Sequence, residues 1–190
     1  MSYMGVEESL RDRLVTVGVE LLEQVGVGQL GLRAIARHAG VSHGAPRRYF
    51  PTHAALLAAV AGRGFADLRT RFGAHVGQPP RAQIEQMVLD YVRFAAERPE
   101  MFTLMFRHDL LEGSGENLRQ QSLPMYRLWA DLVAKCMPDS SVHQALLLWT
   151  SVHGVAVLVA NRSLELIAPN ADPAGLVGKI IDQYLGSAPI

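Results

Sequence analysis

The sequence predicts an all-α protein of about nine helices. Successive segments carry apolar residues at 3.6-residue spacing, strand-type alternation is almost absent, and Gly, Pro, Asp or Ser separates the segments. With 190 residues, the chain can bury a sizeable core as one domain or as two small ones.

The first helix is expected over residues 8–25, with Leu14, Val17, Leu21, Leu22 and Val25 on one face and Glu7, Glu8 and Asp12 near its positive end. Gly26-Val27-Gly28 closes it. Residues 32–50, LRAIARHAGVSHGAPRRYF, read as a short amphipathic helix, a tight turn and a second short helix bearing arginines. Leu32, Ile35, Ala36 and Ala39 form the apolar face of the first of these, Gly40 suits a left-handed closing position, and Val41 plugs the turn. Ser42 has the chemistry of an N-cap. Pro51 follows, and Thr52 can cap a long fourth helix reaching about residue 76, lined by Leu56, Leu57, Val60, Ala61, Phe65, Leu68 and Phe72.

After the break Gly77-Gln78-Pro79-Pro80, a fifth helix covers about 81–98, with Ile84, Met87, Val88, Tyr91, Val92 and Ala95 inward. Pro99 opens a short sixth helix containing Met101, Phe102, Leu104, Met105 and Phe106. The loop EGSGE (112–116) precedes a seventh helix over about 117–137, open to a kink at Pro124, whose apolar face holds Met125, Leu128, Trp129, Leu132, Val133 and Cys136. The eighth helix, about 141–162, is apolar nearly all round. Ala145, Leu146, Trp149, Val152 and Ala156 lie on one side, and Leu148, Val155, Leu158 and Val159 on another. A ninth follows residues 169–172 with Leu176, Val177, Ile180, Ile181 and Tyr184. Two apolar stripes need two partners. The pattern therefore predicts a homodimer built on the last two helices, with Leu148, Val155, Leu158, Val159, Val177, Ile181 and Tyr184 at the interface.

Residues 140–161 lack Asp, Glu, Lys and Arg, yet His143, Gln144, Thr150, Ser151 and His153 interrupt them, and the longest apolar run is 155–160. A membrane span wants about 20 predominantly apolar residues. This helix is expected to be buried over most of its circumference inside protein, with no membrane partner. The opening MSYMGVEESLRDRL lacks a basic stretch followed by a long apolar core, so no signal peptide is expected. A lone Cys136 excludes an intrachain disulfide and fits a reducing, cytoplasmic location.

Helical corners are common, and spacing alone leaves residues 32–50 equally readable as two packed helices. Charge decides. From Gln24 to Ala66 there is no acid, while Arg33, Arg37, Arg47, Arg48 and Arg63 occur there with His38, His43 and His53. A local excess of cations in a chain of zero net charge is an electrostatic footprint for phosphate. In a helix-turn-helix the second helix enters the major groove. Here it would span residues 43–49. His43 can reach a base edge or a phosphate, Gly44 and Ala45 allow close approach, Arg47 and Arg48 can take phosphate or guanine, and Tyr49 can donate to phosphate.

Further along, Met105, Phe102 and Phe106 with Trp129 and Trp149 can be ordinary core, or can line a pocket for flat or greasy molecules. Phe65, Tyr91, Met125 and His153 complete the candidate pocket. His153 reads either as a buried histidine bonded to a neighbour or as a ligand-binding group. No His or acid lies three or four residues from it, so no metal is expected. No hydrolase, metalloprotease or phosphate-loop motif is present, and neither catalytic residues nor a cofactor are expected. Asp90, Glu97 and Asp109 read as solvated faces.

Taken together, LLEQVGVGQLGLRAIARHAGVSHGAPRRYFPTHAALLAAV resembles the first four helices of TetR (tetracycline-repressor-like) regulators, in its AGVS turn, its Tyr-Phe-Pro and the following Ala-Leu-Leu. SHGAP, MFRHDL and the Trp149–Ala156 segment resemble the subclass with a WHG-type C-terminal domain. The resemblance implies an Ω-shaped all-α homodimer on a palindromic double-stranded DNA operator. Residues 1–55 would bind DNA; residues 56–190 would hold a small-molecule pocket and the dimer contacts. Ligand would drive release, making the protein a repressor, with the fourth helix as lever. Against the family pattern, Gly31 replaces a capping Thr or Ser, Arg47 replaces a tyrosine, and His53 replaces a phosphate-clamping lysine. Histidine is only partly charged near neutral pH. Besides this reading, the composition allows a helical small-molecule-binding protein or enzyme with a vestigial helix-turn-helix, or a helical adaptor using the last two helices.

Overall fold

The computed structural model describes residues 9–138 and 142–186. Its described residues contain ten α-helices and two 3-10 turns, and no strand. The α-helices are α1 Leu10–Val25, α2 Leu32–His38, α3 His53–Gly73, α4 Pro80–Glu97, α5 Pro99–Met105, α6 His108–Leu111, α7 Arg119–Cys136, α8 Val142–Ala160, α9 Ser163–Ile167 and α10 Pro173–Leu185. The short helices α6 and α9 were not foreseen, since neither is long enough to show a period. The expected start at residue 8, with Glu7 and Glu8, and the expected break at Asp139-Ser140 lie outside the described residues.

Ser9 caps α1, its hydroxyl accepting from the Asp12 amide at 3.1 Å. Leu14, Leu21 and Leu22 face the core as expected, Val15 joins them, and Val17 and Val25 are only half-buried. Gly26 ends the helix with φ +74°. A Cβ on Gly18 would stand 2.8 Å from Val60 and 3.2 Å from Ile35, so α1, α2 and α3 meet where only glycine fits. Thr52 caps α3 through the Ala55 amide at 3.0 Å. The helix buries Leu56, Leu57, Val60, Phe65, Leu68 and Phe72 and stops at Gly73, short of residue 76. It runs as one rod from the N-terminal bundle into the larger helical body.

In that body α4 is central, packed against α3, α5, α7, α8 and α10. The two parts are tied by an exchange of carboxylates. Glu23 of α1 accepts from the Glu100 and Met101 amides at the start of α5 (3.2 and 3.0 Å), and Glu100 accepts from the Val27 amide beyond α1 (3.3 Å). Glu23 thereby satisfies two orphan N–H groups at the start of α5, and Glu100 satisfies the first N–H of the 3-10 turn Val27–Gln29 that follows α1. Arg11 of α1 also pairs with Glu116 in the α6–α7 loop at 2.8 Å. Pro124 is accommodated inside a continuous α7. The indole N–H of Trp129 donates to the Ala145 carbonyl at 3.0 Å, joining α7 to α8. Asp172 caps α10 through the Ala174 and Gly175 amides. Asp90, Glu97 and Asp109 are not merely solvated: they pair with His75, Arg71 and Arg107 at 2.7, 3.0 and 2.7 Å.

Two expectations for α8 are corrected. Only 28% of the apolar window His143–Ala160, long and apolar enough by composition to cross a membrane, is buried within the chain, rather than most of the circumference. Moreover, Leu148, Val155, Val177 and Ile181, expected at a dimer interface, are buried inside the chain, while Leu158, Val159 and Tyr184 are half-buried. The outward stripe is instead Leu147, Thr150, Gly154 and Val157, with Leu146 beside it. A helix apolar all round carries no polar face to orient it, so periodicity cannot say which stripe turns inward.

Candidate nucleic-acid interface and aromatic cavity

The chain leaves α2 through a Schellman closure. The Val41 amide donates to Ala36 and the Gly40 amide to Arg37, with Gly40 at φ +68°. Val41 packs on the core. The next segment is not the α-helix expected over residues 43–49. It is a turn closed by Ala45 N–H to the Ser42 carbonyl, followed by a 3-10 turn at Pro46–Arg48. The cause is Pro46, which has no N–H to give to the Ser42 carbonyl, so the first α-helical bond of that helix cannot form. The 3-10 turn has Ala45, not Ser42, at its N-cap position and no side-chain cap bond.

Pro46 and Phe50 anchor the segment in the core, and Ser42, His43, Gly44, Arg47, Arg48 and Tyr49 project into solvent, with Ala45 half-buried. The Arg11 guanidinium lies 5.3 Å from the Phe50 ring centroid. Arg33 and Arg37 on α2 are exposed, and among the described residues neither they nor Arg47 and Arg48 enter an ion pair. Arg37 thus belongs to this surface as much as Arg33 does, whereas Arg63 pairs with Asp12 at 3.4 Å and leaves the footprint. Four unpaired guanidiniums around a turn held from below can engage phosphates without first losing an internal partner.

Two departures from the family pattern acquire a geometry. Gly31 stands before α2 in extended conformation, with no side-chain cap on that helix. His53 binds inward: its Nε2 lies 2.5 Å from the Leu30 carbonyl. A carbonyl only accepts, so Nε2 carries the proton. Nδ1 is then an acceptor in the neutral ring and a donor only in the imidazolium.

The candidate pocket residues divide into wall and backing. Phe65, Tyr91, Phe106, Met125 and Trp149 line a lobe of about 490 Å³, together with Leu68, Leu123, Tyr126, Ser122, His108 and Arg119. An adjoining lobe of about 540 Å³ is lined by Met105, again by Phe65 and Phe106, and by the α6–α7 loop. Phe102, Trp129 and His153 do not line either lobe. Phe102 packs edge-on to Tyr91 at 5.3 Å, and Trp129 edge-on to Trp149 at 6.1 Å. Their rings fill the space behind the wall.

His153 sits behind the cavity wall, bonded to a neighbour. Its Nδ1 meets the Tyr91 hydroxyl at 2.8 Å, and its ring stacks on Trp149 at 6.1 Å. Burial lowers the His153 pKa and raises that of Tyr91 well above the ordinary phenol value. Both partners are then neutral, so the phenol donates and Nδ1 accepts. The sequence reading missed His108, Arg119, Ser122, Leu123 and Tyr126. Leu123 and Tyr126 share a second face of α7 with Arg119 and Ser122, which a search for one apolar stripe passes over.

Two family models cover most of the chain: "Bacterial regulatory proteins, tetR family" matches residues 14–60, and "Tetracyclin repressor-like, C-terminal domain" matches residues 84–184. An uncharacterised helix-turn-helix regulator from the dhlA 5′ region of Xanthobacter autotrophicus is 27% identical over 170 residues, covering 86% of this chain and 83% of that protein. The helix-turn-helix regulator BetI of Pseudomonas fluorescens is 32% identical over 92 residues; that match spans about half of each protein, 46% and 47%. A solved protein of unknown function from Rhodococcus sp. RHA1 superposes with a TM-score of 0.79 at 28% identity, covering 97% of both chains. The chain therefore belongs to the TetR family of helix-turn-helix transcriptional regulators, a family of DNA-binding proteins rather than enzymes.

Proposed function

We propose that this regulator is a homodimeric repressor that holds a palindromic operator with its two 42–49 segments and releases it when a small apolar or aromatic effector enters the cavity. The observation that carries the reading is the pairing of two features in one chain: α2 and the turn after it, presenting Arg33, Arg37, Arg47 and Arg48 without ion pairs among the described residues, and an aromatic-walled cavity in the larger helical body. The division into a DNA-binding head (1–55) and a body (56–190) belongs to this reading, as do a cytoplasmic location and the WHG-type likeness of Trp149–Ala156. The outward stripe of α8, Leu147, Thr150, Gly154 and Val157, supports a second copy as its cover. Paired apolar helices meeting across a two-fold axis bury that stripe on both subunits at once.

An effector shifts this equilibrium only by binding one state more tightly than the other. The route in this chain is short. Phe65 of α3 lines both lobes, and α3 runs uninterrupted to Thr52 beneath the DNA-facing turn. The loop that closes the second lobe holds α1 through Arg11–Glu116. Ligand pressing on α3 or on that loop changes the angle of the head, and hence the spacing of two recognition segments that must match half-sites one helical turn apart.

The irregular, Pro46-interrupted recognition segment favours the alternative of a ligand-binding helical protein with a vestigial helix-turn-helix. One experiment separates them. A fluorescent duplex taken from the protein's own upstream region is titrated with the full chain at several salt concentrations. Salt-sensitive binding stronger than to a scrambled duplex is expected; equal affinity for both duplexes would leave the alternative standing.

A further inference from the structure

We propose that the cavity's occupant is a flat aromatic or similarly greasy monocarboxylate, with its apolar body against Trp149, Tyr126 and Phe65 and its carboxylate on the Arg119 guanidinium. This rests on the cavity being the effector site and adds the charge and orientation of what enters it.

The sign of the charge follows from the lining. The 490 Å³ lobe contains no carboxylate; its charged side chain is Arg119, and His108 and Ser122 add polar atoms. Arg119 is exposed and, among the described residues, has no acidic partner. The neighbouring cations are already neutralised: Arg107 holds Asp109 through two hydrogen bonds of 2.8 and 2.7 Å, and Arg11 holds Glu116. The first amides of α7 are engaged as well, Gln120 N–H with Asn117 and Ser122 N–H with Leu118. The Arg119 side chain, rather than the helix end, is thus what an incoming anion meets. A planar guanidinium matches a carboxylate with two parallel N–H donors.

The orientation follows from the buried part of the lining. Tyr91 is 1% exposed and its hydroxyl is engaged with His153. Burial keeps this pair neutral, and a charged head group placed there would have no counter-ion. The apolar end therefore goes inward and the charge stays at the rim. Arg119 lines both lobes, but the adjoining one also carries Glu112, which has no ion-pair partner among the described residues and repels a carboxylate, directing it to the aromatic lobe.

Three probes of one shape and different charge test this on the full chain by calorimetric titration at low salt: 2-naphthoate, 2-naphthamide and 2-naphthylmethylammonium. The expected order is naphthoate at least tenfold tighter than the amide, with the ammonium weakest. Arg119→Gln should bring naphthoate down to the amide, while Arg119→Lys keeps part of the preference. Arg119 is exposed and unpaired, so both variants should keep the wild-type urea midpoint, which is measured alongside. Equal binding of naphthoate and amide, or a preference that survives Arg119→Gln, overturns the charge assignment while leaving the apolar cavity reading intact. If none of the three binds, the cavity reading falls and the inference with it.

Discussion

Three glycines at helix positions form a series in which the intrinsic gain is constant and only the surroundings differ. Replacing an interior helical glycine with alanine stabilises by about 1 kcal/mol through propensity and a more restricted unfolded chain. At Gly62 the new Cβ would meet the Gln121 amide nitrogen at 3.2 Å and a Leu118 methyl at 3.8 Å, both ends of flexible side chains. At Gly64, two residues on, it would stand 2.5 Å from the Met105 sulfur and 2.8 Å from the Met101 Cγ and sulfur. Met101 and Met105 are 0% and 1% exposed, so neither can swing into solvent. Forcing atoms into a packed core costs about 1–3 kcal/mol. Gly62→Ala should therefore gain most of the ~1 kcal/mol. Gly64→Ala should end between neutral and a loss of about 2 kcal/mol, the overpacking cost less the propensity gain. The difference between the two variants isolates the α3–α5 contact, because the helix term cancels. Urea unfolding at constant m-value reads it directly. Equal midpoints for the two would mean that α3 and α5 do not approach as described. Gly154→Ala extends the series: among the described residues, nothing beyond its own helix turn lies within 4 Å of its Cβ, so the gain should appear in the monomer. A weaker dimer in sedimentation is expected if α8 meets its copy at that stripe.

Further outcomes are expected at both sites. In a two-fold dimer, Arg47→Ala with Arg48→Ala removes four exposed cations; the slope of log K against log salt should flatten by up to about 3.6, and an unchanged slope in anisotropy titrations takes these side chains off the phosphates. Since His53 gives its Nε2 proton to Leu30, only the imidazolium can also donate from Nδ1. His53→Lys, which puts a full charge at this position, should tighten operator binding and steepen its salt dependence; unchanged binding would rule out residue 53 as a phosphate contact. His153 titrates below the ordinary imidazole value of 6.5 because it is buried. As pH falls past 6.5 the unfolded chain takes up the proton first, so stability drops, and His153→Gln should show a shallower acid decline in thermal melts. Tyr91→Phe, which leaves Nδ1 without its donor, should destabilise by about 1–3 kcal/mol in urea; no change would mean that water replaces the phenol freely.

The fold was legible wherever a helix has one wet face. Leu14, Leu56, Ile84 and Trp129 all turn inward as their spacing says, because solvent on one side and core on the other write a 3.6-residue rhythm. It was not legible in α8, where both sides are apolar. The recognition turn shows a different limit: a capping Ser42 and the arginines that follow suggested a helix over residues 43–49, but a single missing N–H at Pro46 outweighed them. For the cavity, residue type alone could not separate wall from backing. Phe102, Trp129 and His153 are as aromatic as Trp149, and only three-dimensional stacking places them behind it. Arg119 was invisible for the opposite reason, since a lone arginine at a helix start looks like any solvated charge until the absence of a partner is seen.

The carboxylates exchanged between α1 and α5 bear on how this chain could be recombined with others. A graft that cuts after residue 55 carries Glu23 away from the Glu100 and Met101 amides, and Val27 away from Glu100. The transplanted head would keep its apolar bundle yet arrive with an acid facing a foreign helix end, and the abandoned body would keep bare amides. A head or body taken from this chain should be moved only into a partner that carries an acid at the matching position, which makes Glu23 and Glu100 a two-part connector to be moved or left together.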